Sequence, residues 1–221
     1  MPRKRVRSQP KKKRQRKPPL PPVSVTIWAS SHGQEWHGLP SALKKWFVEQ
    51  DRTNFHPLIF HAKSGGTIHS SIVHKVRKAL RRSSGAAQCH VLILGSNNLR
   101  NEWKPEEISA QFKKILEFSA GIPLAHVVVC GILPSPETES DAETTKAYRD
   151  TTRLLKDLTT RHSRCSFLDI PDYFTDNRVV KESLYGVKRG RVDIHFSHEG
   201  AKLYAKVLGG HIAFLKRETW I

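Results

Sequence analysis

Gln88–Gly95, QCHVLILG, followed shortly by Pro105–Ala120, PEEISAQFKKILEFSA, decides the fold class. The first stretch is apolar without alternation, the pattern of a strand buried on both faces. In the second, proline stands at the first helical position and two glutamates in the first turn, with Ile108, Phe112, Ile115 and Leu116 on one face. The same alternation extends outward in both directions. VSVTIWA (23–29), PLIFHA (57–62), AHVVVCGIL (125–133) and RCSFLDI (164–170) read as further strands. Helical spacing occurs over 41–50, with Ser41 as a candidate N-cap, and over 68–82, where Ile68, Ile72, Val76 and Leu80 recur at four-residue intervals. It returns over 141–162 and 198–217, and residues 171–191 read as a long loop. Apolar strands alternating with helices predict a parallel five-stranded sheet covered on both faces, a three-layer α/β/α sandwich. Ligands of such sheets bind beyond the carboxyl ends of the strands, where SSHG, KSGGT and GSNN all fall.

Composition divides the chain into residues 1–22 and 23–221. Of the formal net charge of +18, the first 22 residues supply +10, with six of the thirteen prolines and no acid. Such a segment buries too little apolar surface to offset its ordering entropy, which predicts a disordered tail. Its cluster Lys11, Lys12, Lys13, Arg14, Arg16 and Lys17 suits either a nucleic-acid backbone or a nuclear import receptor. No stretch has the roughly 18–20 apolar residues of a membrane span, and prolines stand where a signal peptide would be apolar. An intracellular, non-secreted protein is expected, with a nuclear location if the basic cluster is an address. Cys89, Cys130 and Cys165 have no CxxC spacing and an odd count, which predicts buried free thiols. The twelve histidines include no HxxxH pair, so neither a metal site nor a cofactor is expected.

Four positions carry candidate chemistry, and each has an ordinary structural alternative. Ser31, in the turn after the first strand, can present a nucleophilic hydroxyl, although alone a serine there is more often a turn residue. Gly65, beside Gly66, can offer an unobstructed N–H, and Asn97 a side-chain amide, to one developing oxyanion. His195, with Asp193 two residues ahead, can act as a general base whose tautomer the carboxylate sets.

Together these residues resemble the SGNH hydrolase superfamily, the GDSL esterases and lipases, over nearly all of residues 23–221. The family's opening block, G-D-S-H in many members, is matched by Ala29, Ser30, Ser31 and His32; its second-block glycine by Gly65; its G-x-N-D block by Gly95, Ser96, Asn97 and Asn98. The final block, commonly D-G-V-H-L-S-P-E-G, is matched by VDIHFSHEG at 192–200. The resemblance implies a flavodoxin-like α/β/α fold, catalytic Ser31, His195 and Asp193, and an oxyanion hole from Ser31, Gly65 and Asn97. Three departures accompany it. The usual acid position holds Val192, with Asp193 displaced by one; Ala29-Ser30 replaces Gly-Asp; and Asn98 stands where aspartate is common. A basic arm ahead of such a domain is also similar to the esterase-like proteins of some non-LTR retrotransposons.

The leading expectation is therefore a serine esterase acting on small carboxylic esters or acetyl groups. The alternative is a catalytically weak or inactive scaffold that binds nucleic acid through its tail. A nucleotide binder using the Gly65-Gly66 turn ranks third, since neither GxxxxGK[ST] nor GxGxxG is present.

Overall fold

The computed structural model describes residues 22–50, 58–82, 86–139, 141–188 and 190–219. The basic cluster from Lys11 to Lys17 and the tail expected over 1–22 lie outside these, Pro22 excepted. Among the described residues no helix is long and apolar enough to cross a membrane.

The sheet contains β1 (Val23–Ala29), β2 (Leu58–Ala62), β3 (Ala87–Ile93), β4 (Ala125–Cys130) and β5 (Cys165–Leu168), all parallel in the order β2-β1-β3-β4-β5. Successive side chains of a strand point to opposite faces, so each central strand supplies two cores. Val23, Val25 and Ile27 of β1 join Cys89 and Val91 of β3 and Val128 of β4 on one face. That face is covered by α1 (Leu39–Glu49) and, at the chain's end, α8 (His198–Thr219), through Leu43, Phe47, Tyr204 and Leu208. Trp28, Leu92, Val127 and Val129 face the other way. They meet α2 (Ser70–Arg82), the short α3 (Ser96–Arg100) with its following α4 (Pro105–Ala120), and beyond α5 (Pro136–Glu139) the long α6 (Ala142–Thr159). The predicted three-layer sandwich is the observed one.

Several local expectations change in the tertiary context. Helix α1 begins at Leu39 after a left-handed Gly38, and Ser41, instead of capping it, donates its hydroxyl hydrogen to Glu35 Oε1 at 2.6 Å. Ile68 precedes α2, and the helix buries Val73, Val76 and Leu80. At the sheet edge, β2 alternates partly buried and exposed residues, since Leu58, Phe60 and Ala62 face the α1–α8 core and the residues between them point to the other face. The largest difference is the expected loop 171–191. It folds as α7 (Pro171–Phe174), a two-residue ladder of β6 (Thr175–Asp176) with β7 (Val179–Val180), and a hairpin of β8 (Tyr185–Lys188) with β9 (Arg191–Phe196). Buried Phe174, Val180, Tyr185 and Phe196 pin it to the α8 side of the sheet, at intervals too irregular to show a strand period.

Cys89 and Cys130 are buried and Cys165 half-buried, all free. Two histidines are also buried in the sheet. His90 accepts from Trp28 Nε1 at Nδ1 and donates from Nε2 to Gln88 Oε1; His126 Nε2 lies 3.0 Å from Ser166 Oγ. Burial pushes both imidazoles down from the ordinary 6.5 to about 4.

Two predictions follow from this packing. A β-carbon at Gly200, in the first turn of α8, would fall on the Leu184 carbonyl, whereas one at Gly210, later in the same helix, would meet nothing within 4 Å. Gly200→Ala should lower stability in urea by about 1–3 kcal/mol or more, and Gly210→Ala should raise it by about 0.5–1 kcal/mol. The buried histidines predict an acid dependence. Their folded-state affinity for protons is below that of the unfolded chain, so unfolding takes up protons and stability falls as pH drops from about 6.5 towards 4. Each histidine contributes a slope approaching about 1.4 kcal/mol per pH unit in that window, and His90→Gln with His126→Gln should flatten the measured dependence.

Candidate active site

The strand order reverses at β1: the chain leaves it towards β2 and returns to β3 on its other side. Loops diverge at such a point and leave a crevice between the two carboxyl ends. Ser31 follows β1 directly, opening a single 3-10 turn, Ser31–Gly33, and Gly95 with Asn97 follows β3. The β1 turn is tight. Ser30 N–H donates to Ile93 O at 3.2 Å, extending the ladder by one residue, and a β-carbon on Gly33 would lie 2.4 Å from that of Ala29. Ser31 is consequently buried, 6% exposed, with its hydroxyl aimed towards β9.

There Ser31 Oγ lies 3.0 Å from His195 Nε2, and His195 Nδ1 lies 3.1 Å from Asp193 Oδ2. The carboxylate fixes the tautomer: Nδ1–H donates to Asp193, and the free Nε2 lone pair accepts the Ser31 O–H. The displaced acid reaches its imidazole through an irregularity in the hairpin. Between the pairs Tyr185↔Phe196 and Val187↔Val192, β8 advances two residues while β9 advances four. The surplus residues leave the ladder as a bulge at Asp193, Ile194 and His195, a device that re-aims side chains. Within it Asp193 Oδ1 also accepts from Ile194 N–H at 2.7 Å. Partial burial pulls the Asp193 carboxyl up, but bonds from His195 and Ile194 and the Lys188 charge leave it below the usual carboxylate range.

Two further histidines complete the cluster: His32, which the sequence offers only as a match to the opening block, and His37, which it does not single out. His32 donates from Nε2 to Ile194 O at 3.0 Å, tying the residue beside the nucleophile to the centre of the bulge. Burial pushes it down to about 4, so it is neutral at ordinary pH. His37 stacks on the His195 ring, with centroids 3.8 Å apart and planes 6° from parallel. Burial, then the proximity of His195, lowers its affinity for a proton as well. For His37 the only sequence signal is its nearness to His32.

Gly65 occupies the turn after β2 with φ +64, a region that favours glycine, and is exposed. Asn97 Nδ2 donates to the neighbouring Gly66 O at 3.1 Å, so it joins the β2 and β3 loops. Asn98 explains its own departure from aspartate. Fully buried, it accepts from Ile68 N–H at 2.8 Å and donates to Ile68 O at 3.0 Å, and a carboxylate cannot make the second bond. A separate hollow of about 360 Å³ lies between α6 and the segment Pro171–Arg178, but none of these residues lines it. Its lining includes no serine, cysteine or histidine.

No family model and no curated protein sequence matches the chain. Solved structures do match. An acetyl xylan esterase is 14% identical with a TM-score of 0.67, covering 86% of this chain and 99% of that one. A lipase/acylhydrolase from Enterococcus faecalis is 10% identical, TM-score 0.66, covering 89% and 96%. The chain has the GDSL/SGNH hydrolase fold. A GDSL-like lipase from Bacteroides thetaiotaomicron, 13% identical with a TM-score of 0.64 over 86% of this chain and 87% of that one, shows the same arrangement. Such identities define the architecture alone.

The His32–Ile194 bond is testable. His32→Phe keeps a ring but removes the donor to a carbonyl in the half-buried bulge; stability should fall by about 1–3 kcal/mol. His32→Gln, which can still donate, should recover much of the loss in urea unfolding.

Proposed function

We propose that this protein is a serine esterase acting on carboxylic esters or acetyl groups. The observation that carries the reading is the contact of one hydroxyl and one imidazole from residues 164 apart, with a carboxylate on the far nitrogen. Neither bond follows from secondary structure or core packing alone. The esterases and acylhydrolases of the same fold support it.

In this reading Ser31 Oγ attacks the ester carbon as His195 Nε2 takes its proton. Negative charge moves to the former carbonyl oxygen, facing the backbone N–H groups of Ser31 and Gly65 and the remaining N–H of the Asn97 amide. Asn97 keeps one hydrogen for Gly66 and has a second to give. The tetrahedral species collapses, the C–O bond to the alcohol breaks, and His195 returns the proton to the leaving oxygen. A water then repeats the sequence on the acyl-serine, giving the acid and restoring Ser31. Asp193 stabilises the imidazolium formed in each half, and neutral His37 covers its ring without adding a repelling charge.

Incubation with a fluorophosphonate probe should label Ser31, located by mass spectrometry, and p-nitrophenyl acetate should be hydrolysed. Ser31→Ala and His195→Ala should each reduce kcat by about 10³-fold or more, and Asp193→Asn by about 10²–10⁴-fold. Equal rates for wild type and Ser31→Ala would remove the proposal.

A further inference from the structure

The hairpin that supplies Asp193 and His195 continues past them to a basic tip. The turn at Gly190, φ +75, sets Lys188 directly across from Arg191 in the β8–β9 ladder. Like charges placed opposite each other in a ladder repel. Lys188, Arg191, Val192 and Asp193 line one open hollow of about 560 Å³. Asp193, the one acid among these lining residues, is engaged by His195 and by Ile194 N–H. Among the described residues, neither Lys188 nor Arg191 has a carboxylate within ion-pair distance, although eight other lysines and arginines do. Lys188 is also close enough to lower the Asp193 carboxyl and to disfavour charge on His37.

The hollow therefore runs from Asp193, the hydrogen-bond partner of His195, to two cations with no counter-ion among the described residues. A strand advances about 3.3 Å per residue, which puts Arg191 about 13 Å from His195 along β9, less through the bulge. Long side chains at 188 and 191 are able to carry their charges several ångströms from the backbone. The arrangement can hold an anionic group roughly 6–10 Å from an ester carbon lying on Ser31.

We propose that Lys188 and Arg191 form an anion-recognition subsite, and that the substrates are esters bearing a carboxylate, sulfonate or phosphate at that distance from the scissile carbonyl. The proposal rests on the esterase reading of Ser31 and His195, and adds the substrate class. Exposed cations in a high-dielectric surface give modest binding alone, but two of them beside a hollow discriminate between charged and neutral ligands of equal size.

The test compares the full chain with Lys188→Glu/Arg191→Glu and Lys188→Gln/Arg191→Gln, each checked for an unchanged melting temperature. Three esters are used: neutral p-nitrophenyl acetate, mono-p-nitrophenyl adipate with its anion on the acyl side, and 6-acetoxynaphthalene-2-sulfonate with its anion on the alcohol side. The quantity read is the ratio of kcat/KM for a charged ester to that for the neutral one. Charge reversal should lower this ratio tenfold or more in at least one arm, and the responding arm identifies which side of the ester faces the hairpin. Raising salt from 50 to 500 mM should narrow the wild-type preference and leave the reversed variant's ratio nearly constant. Ratios unchanged within twofold in both arms overturn the proposal. If no ester is hydrolysed, the esterase reading fails separately, and NMR titration with adipate and naphthalene-2-sulfonate decides the subsite. Saturable shifts in the hairpin that vanish on charge reversal support it; equal shifts, or none, refute it.

Discussion

The hydrogen bond from His32 Nε2 to Ile194 O is the constraint on which the site depends. It joins two parts of the chain that share no strand ladder: the turn after β1, which carries Ser31, and the bulge in β9, which carries Asp193 and His195. Because His32 is the next residue after Ser31 and Ile194 lies between Asp193 and His195, this bond ties the turn that carries the hydroxyl to the bulge that carries the carboxylate and the imidazole. Its acceptor is a backbone carbonyl at the centre of the bulge. Burial keeps His32 neutral, so the bond brings no competing charge to the His195 ring.

Sheet topology supplies the rest of the geometry. The reversal of strand order at β1 opens a crevice, and the turn after β1 can enter it only because Gly33 lacks a side chain that would strike Ala29. On the far side, Asn98 uses its buried amide to hold Ile68 by both backbone groups, and Asn97 holds Gly66. The loops of β2 and β3 are thereby fixed to each other without a carboxylate. A replacement that looks like a loss of family chemistry at Asn98 is, in this chain, a complete hydrogen-bond solution.

The histidines divide by environment into two kinds. His90 and His126 are buried in the sheet, bonded to neighbouring polar side chains, and held neutral by desolvation. His195 stays partly open, with a carboxylate on one nitrogen and a hydroxyl on the other. The same residue type thus serves as core filler and as candidate base, and the difference lies in partners and solvent access. His37 belongs to the second group through its parallel stack, since a neutral ring packed on His195 restricts its orientation.

Local sequence determined the elements whose physics is local. The helix expected over 105–120 is observed at those bounds, because its proline, first-turn glutamates and apolar spacing all act within a few residues. The continuous apolar runs of β1, β3 and β4 specified strands covered on both faces, and so the layers. The order of the motifs around Ser31, Gly65, Asn97 and His195 placed the candidate groups at strand ends. Only the tertiary structure decided whether the Asp193 carboxylate lies within hydrogen-bond distance of the His195 ring. That answer lies in the unequal lengths of β8 and β9 between two paired positions, and strand register is a relation between segments that neither contains alone. The stack of His37 on His195, and the lack of a carboxylate beside Lys188 and Arg191 among the described residues, were hidden for the same reason: each depends on which distant groups the fold brings near.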